Sequence, residues 1–148
     1  MTYMTDTGRI ANVFNFWFAG GSAVSTPTTP FKLRLMTAMG SGNGNVAGSN
    51  GTELTSATGY TAGGSSLGSS PTFSTFSSAS PAAVTNSNAV SWSAGSTWTT
   101  VVGIEIWDST GTPARYLQGT TTSSITGVVN GDTVQFAAGS ISANPSAW

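Results

Sequence analysis

Apolar and polar positions alternate from Phe31 to Leu35 in "FKLRLMT", Phe31 to Thr37: Phe31, Leu33 and Leu35 fall on one side, Lys32, Arg34 and Met36 on the other. A period of two predicts a half-buried strand. Its two cations then lie on a solvent face or at a subunit seam. The same period returns after residue 88. "NAVSWSA" places Val90 and Trp92 together, and "WTTVVGIEIWD" places Val102, Ile104 and Ile106 on one face with Gly103, Glu105 and Trp107 on the other. "ARYLQG", "SSITGVV", "DTVQFAAG" and "SIS" around Ile141 add further short strands.

A different period runs through the start of the chain. Ile10, Val13, Phe14, Trp17 and Phe18 follow the i, i+3, i+4, i+7, i+8 spacing of a helix face. Thr5, Asp6 and Thr7 offer caps before it, and Gly20-Gly21 ends it. The spacing predicts a helix over 5–21 that either covers one end of the β-structure or anchors onto a partner. Phe16, off the stripe, points outward and favours the anchor, with Phe14, Trp17 and Phe18 as its other candidate contacts. A signal peptide fits less well, since no basic stretch precedes the apolar residues.

Between the strands lie two long Gly/Ser/Thr-rich loops, 38–52 and 61–88. The Gly-rich loop has no Walker pattern, so it is not read as a phosphate cradle. Asn50-Gly51-Thr52 matches a glycosylation acceptor, a motif common by chance. Short strands with frequent turns and no short-period repeat predict an all-β fold: a jelly-roll-like antiparallel β-sandwich over 26–148, with one short N-terminal helix, in a single domain of 148 residues.

Composition narrows the function classes. Only 6% of residues are charged, with net charge −1, against roughly 25% charged in ordinary domains. About a third of the chain is Ser or Thr. Cys and His are both absent, which removes disulfides, thiol nucleophiles, the usual zinc sites and the commonest general base. Four scattered cations make no nucleic-acid footprint. No apolar run is long enough to span a bilayer. A chain this close to neutral tends to associate, with copies of itself or with a larger assembly.

One stretch invites an enzymatic reading. "TTVVGIEIWDSTGTPARYLQG", Thr99 to Gly119, holds Glu105, Asp108 and Arg115. Paired carboxylates do acid/base work when they flank one bond. Glu105 and Asp108, however, are an odd number of residues apart, so along a strand their side chains leave on opposite faces. A hairpin accounts for them better. Asp108-Ser109-Thr110-Gly111 fits a three-residue loop, with Asp108 opening a type I turn and Gly111 in the left-handed position. That register sets Glu105 opposite Arg115, Ile104 opposite Tyr116 and Pro113 opposite Trp107. Glu105 and Arg115 are then a candidate ion pair, within one chain or between subunits. Asp132 sits in the turn "NGDT", and an Asp108/Asp132 calcium site lacks any EF-hand pattern.

Beyond this hairpin, the chain resembles a family of small virion structural proteins of tailed bacteriophages, the capsid decoration (cement) and tail-fibre-like proteins. The resemblance covers most of the chain: "NVFNFWF", "PFKLRLMTA", "GTELTSATGYT", "AVSWSAGSTWTTVVGIEIWDSTGT" and "YLQGTTTSSITGVVNGDTVQFAAGSISA". The matching aromatic-Asp step is Trp107-Asp108. Two departures stand out. Thr61-Ala62-Gly63 follow Tyr60 where the family has an Arg, and Glu105 stands where the family has a small residue. The resemblance implies no catalytic residue and no cofactor. It implies a homotrimer on the outer surface of the capsid that bridges major capsid protein subunits and stabilises the head. The alternative is a tail-fibre or tail-tip component that contacts the host or its glycans, with Trp92, Trp98 and Trp107 either stacking on sugars or packing in the core.

Overall fold

A computed structural model of the chain describes residues 18, 28–40, 51–55, 57–68, 84–111, 113 and 115–143. The helix expected over 5–21, with Phe14, Phe16 and Trp17, lies outside these residues. Phe18 is described and is 77% exposed. The first loop is described only at its two ends, and 69–83 of the second is likewise outside.

The described elements are β-strands in antiparallel sheets: β1 (Lys32–Ala38), β2 (Thr52–Glu53), β3 (Ser65–Ser66), β4 (Val84–Thr85), β5 (Val90–Ser93), β6 (Val101–Trp107), β7 (Arg115–Ile125), β8 (Thr133–Phe136) and β9 (Ser142–Ala143). The main sheet runs β2-β1-β6-β7, with β3 also on β1, while β4-β9 and β5-β8 form two-stranded sheets. The two stretches expected as separate strands, "ARYLQG" and "SSITGVV", are largely joined in the one long β7. β2, β3 and β4 are short pieces that fall within or at the ends of the expected loops.

β2 and β3 share one edge of β1. β2 meets it at Met36 and Ala38, β3 at Lys32 and Leu33. Between them the Leu54 amide donates to the Leu35 carbonyl at 2.9 Å, and the Leu35 amide donates to the Tyr60 hydroxyl at 3.1 Å. A phenol therefore fills a ladder position where no strand residue stands.

The apolar core lies on one face of the main sheet. Leu33 and Leu35 of β1 and Ile104 and Ile106 of β6 pack with Val90 and Trp92 of β5, Val134 of β8, and Leu67, Trp98 and Ile141. Full burial of a leucine is worth about 1.5–3 kcal/mol. Here the alternation read from the sequence fails at one point: Val101, fully buried, takes the core place expected of Val102, which is only half-buried. The cause is a register irregularity between Val101 and Gly103. Trp98 is seated by two bonds, its amide donating to Val128 at 3.0 Å and its indole N–H to the Thr58 carbonyl at 3.1 Å.

Candidate functional site

The other face of the main sheet carries the charges. Cross-strand register builds three rows over β1, β6 and β7: Lys32, Trp107 and Arg115; Arg34, Glu105 and Gln118; Met36, Gly103 and Thr120. This is not the solvent face expected for the cations of β1. Met36, Glu105 and Arg115 are each 1% exposed, and Lys32 and Arg34 are half-buried.

Arg115 reaches this face through a β-bulge. Leu117 pairs with Ile106, but Arg115 pairs with Trp107, so Tyr116 is an extra residue on β7. Without it, Arg115 would share the core face with Leu117, since side chains alternate. The extra Tyr116 packs edge-on against Phe31, ring centres 5.4 Å apart. The register expected from a three-residue loop is thus overturned. Glu105 stands opposite Gln118, Ile104 opposite Gly119, and Trp107 opposite Arg115 rather than Pro113. Nor is Gly111 in the left-handed region. Asp108 instead accepts a bond from the Thr110 hydroxyl at 3.0 Å, and the Ser109 amide donates to the Thr28 carbonyl at 3.0 Å, tying the loop to the chain that enters β1.

Glu105 and Arg115 are in contact within one chain. Arg115 Nη1 lies 2.6 Å from Glu105 Oε1, and the Trp107 indole N–H donates to Glu105 Oε2 at 2.9 Å. Both carboxylate oxygens are engaged. At 1% exposure, Glu105 does not reach a solvent-borne substrate. Arg34 lies over the Trp107 ring, 4.1 Å from its centre, and points an Nη to Glu53 at 3.6 Å. A cation over an indole face is held by the ring quadrupole.

Glu53 and Tyr60 complete the network. Glu53 Oε1 accepts from the Tyr60 hydroxyl at 2.6 Å and from the Gly63 amide at 2.8 Å. Burial, and after it the bond to Glu53, push the Tyr60 hydroxyl well above its ordinary pKa. A polar path therefore runs from Arg115 through Glu105, Trp107, Arg34, Glu53 and Tyr60 to the Leu35 amide. Sequence reasoning did not pair Glu53 with Tyr60. The acidic group of "GTE" and the phenol of "GY" meet here. Thr61 follows Tyr60, and the cation that faces Glu53 comes from Arg34 of β1.

The remaining candidates are placed as follows. Trp92, Trp98 and Trp107 are 5%, 4% and 5% exposed, so none offers a ring face for sugar stacking. Asp132 accepts from the Val129 amide at 2.9 Å and serves its turn. Among the described residues no cluster of three or more acidic side chains could hold a metal ion, and no helix is long and apolar enough to cross a membrane. Asn86, unmarked in the sequence reading, is 1% exposed and fully bonded: its amide group donates to the Asn88 and Ala137 carbonyls at 2.7 and 2.9 Å, and its Oδ1 accepts from the Ile141 amide at 2.8 Å.

No family model, curated protein or solved structure matches the chain.

Proposed function

We propose that this chain is a virion structural protein of a tailed bacteriophage, a decoration protein that sits on the outer surface of the head as a homotrimer and bridges major capsid subunits. In this reading the main sheet and the β5-β8 pair are the two layers of a jelly-roll-like sandwich. The family resemblance of the ordered motifs supplies the class. One observation carries the choice of a building block over a chemical site: all four described carboxylates, Glu53, Glu105, Asp108 and Asp132, are hydrogen-bonded within the chain, Asp132 at an exposed turn. These carboxylates are taken up by the scaffold, and most of the exposed described positions are Ser, Thr, Gly or Asn. Such a surface suits extended, hydrogen-bonded contact with other proteins.

The test is location and loss. In a virion density map the protein is expected at many copies over the head shell. Heads stripped of it are expected to burst at a lower temperature, and adding the pure protein back is expected to restore them. A few copies confined to the tail would overturn the reading in favour of a tail component.

A further inference from the structure

β6 and β7 fall out of step near their far ends. Gly103 pairs with Thr120 and Val101 with Ile125, so Thr121, Thr122, Ser123 and Ser124 stand opposite Val102 alone. The surplus chain bulges from the sheet, a device that re-aims side chains beside binding sites. Beside it opens a cleft of about 110 Å3. Thr120, Thr121 and Thr122 line it from β7, and Ser140 and Ser142 from the segment leading into β9. Phe136 and Ile104 add apolar lining, and no lining residue carries a charge.

The β9 side is held in place before any ligand arrives. Asn86 Oδ1 accepts from the Ile141 amide at 2.8 Å, and the Ser140 hydroxyl donates to the Ala137 carbonyl at 2.7 Å. The β7 side has hydrogen-bonding capacity to spare. Thr120 and Thr122 are exposed there, so their hydroxyls are open to a group entering the cleft.

We infer that this cleft binds one ring of a neutral carbohydrate. Hydroxyls donate and accept at once, which suits a ligand whose own groups are hydroxyls. A phosphate or carboxylate finds no cation there. A wholly apolar ligand would leave the threonine and serine hydroxyls dry. The C–H face of a pyranose fits against Phe136, while its rim meets the hydroxyls. A liquid water takes about 30 Å3, so the cleft displaces a few waters and admits part of one ring rather than an oligosaccharide. The inference goes beyond the capsid reading and does not depend on it, because the site is the same on a head or a tail.

Titration of the pure protein with glucose, galactose, mannose and N-acetylglucosamine, followed by amide NMR, tests it. At least one sugar is expected to shift the amides of Thr120–Thr122 and Ser140–Ser142 saturably, with a Kd of about millimolar, the weak end of the affinity scale. Glucuronate is expected to bind at least tenfold more weakly than its neutral counterpart. Thr122→Val, which removes an exposed hydroxyl of the lining, is expected to keep the spectrum of the free protein and weaken the sugar at least tenfold. No shift with any of these sugars, shifts away from the cleft, or unchanged binding in Thr122→Val would each overturn the proposal.

Discussion

Arg115 and Glu105 touch at 2.6 Å although neither is the other's cross-strand partner. Arg115 stands opposite Trp107, two residues along β6 from Glu105, and a long side chain spans that diagonal. The bulge at Tyr116 makes the contact possible by turning Arg115 to the face that Glu105 occupies. A salt bridge this deep offsets its own desolvation through close geometry and full hydrogen bonding, and it is sensitive to the loss of either partner.

Glu105→Gln keeps the shape and removes the charge, leaving Arg115 buried without its counter-ion. Urea unfolding is expected to show a loss of about 3–5 kcal/mol. Glu105→Leu combined with Arg115→Met is expected to recover most of that loss, since no charge is then stranded. A loss below about 1 kcal/mol in the single variant would mean that the pair behaves as a surface bridge.

Gly103 is the one place in β6 where a side chain has no room. A Cβ there would meet Met39 Sδ and would lie 2.6 Å from the Gly119 carbonyl oxygen. Gly103→Ala is expected to cost about 1–3 kcal/mol, the usual range for overpacking. Thermal unfolding checks it, and an unchanged Tm would show that Met39 and β7 yield freely.

Tyr60 ties stability to alkaline pH. Its pKa is raised on folding above the ordinary value of 10.0. A raised folded pKa favours the protonated form in the native state, so its contribution is complete below the unfolded pKa and falls as pH rises past it. Stability is expected to be level with respect to this group up to about pH 9 and to decline above about pH 10. Tyr60→Phe is expected to lose that decline. It is also expected to be less stable at neutral pH, by about 1–3 kcal/mol, because the Leu35 amide loses its acceptor. An alkaline limb unchanged in the variant would assign the effect to another group.

Asn86 ties the segment before β9 to the chain with its side chain as well as its backbone. Asn86→Ala leaves the Ile141 amide and two carbonyls without these partners, at an expected cost of about 1–3 kcal/mol. Hydrogen exchange at Ile141 is expected to speed up more than at Leu33 or Leu35, which sit in the main core. Equal acceleration at all three would indicate global rather than local loosening.

Periodicity in the sequence locates β1, β5, β6 and β8 and puts Leu33, Leu35, Trp92 and Ile104 inside, because a half-buried strand repeats every two residues. It does not reveal bulges. Inserting Tyr116 costs no break in composition, yet it changes which face every later residue takes, and so the register read from the turn is wrong. The same blindness exchanges Val101 for Val102. Burial of the second face also escapes the pattern, since Lys32 and Arg34 read as residues of a solvent face or a subunit seam. Glu105 and Arg115, ten residues apart in one hairpin, are legible as a pair, but other partners are distant in sequence: Glu53 to Arg34, Asn86 to Ile141. Contacts of that kind depend on topology, which alternation does not encode.

The edge of β1 is closed by two short strands with a phenol between them. It is spliced from pieces rather than covered by one continuous partner, and each joint is a place where the chain can change length. Residues can be added beside the exposed Thr55, or between the exposed Thr61 and Ala62, without shifting either neighbour's register, provided the hydroxyl still returns to the Leu35 amide. An edge of this design is open to insertion, so new surface can be grafted there while the sheet beneath stays as it is.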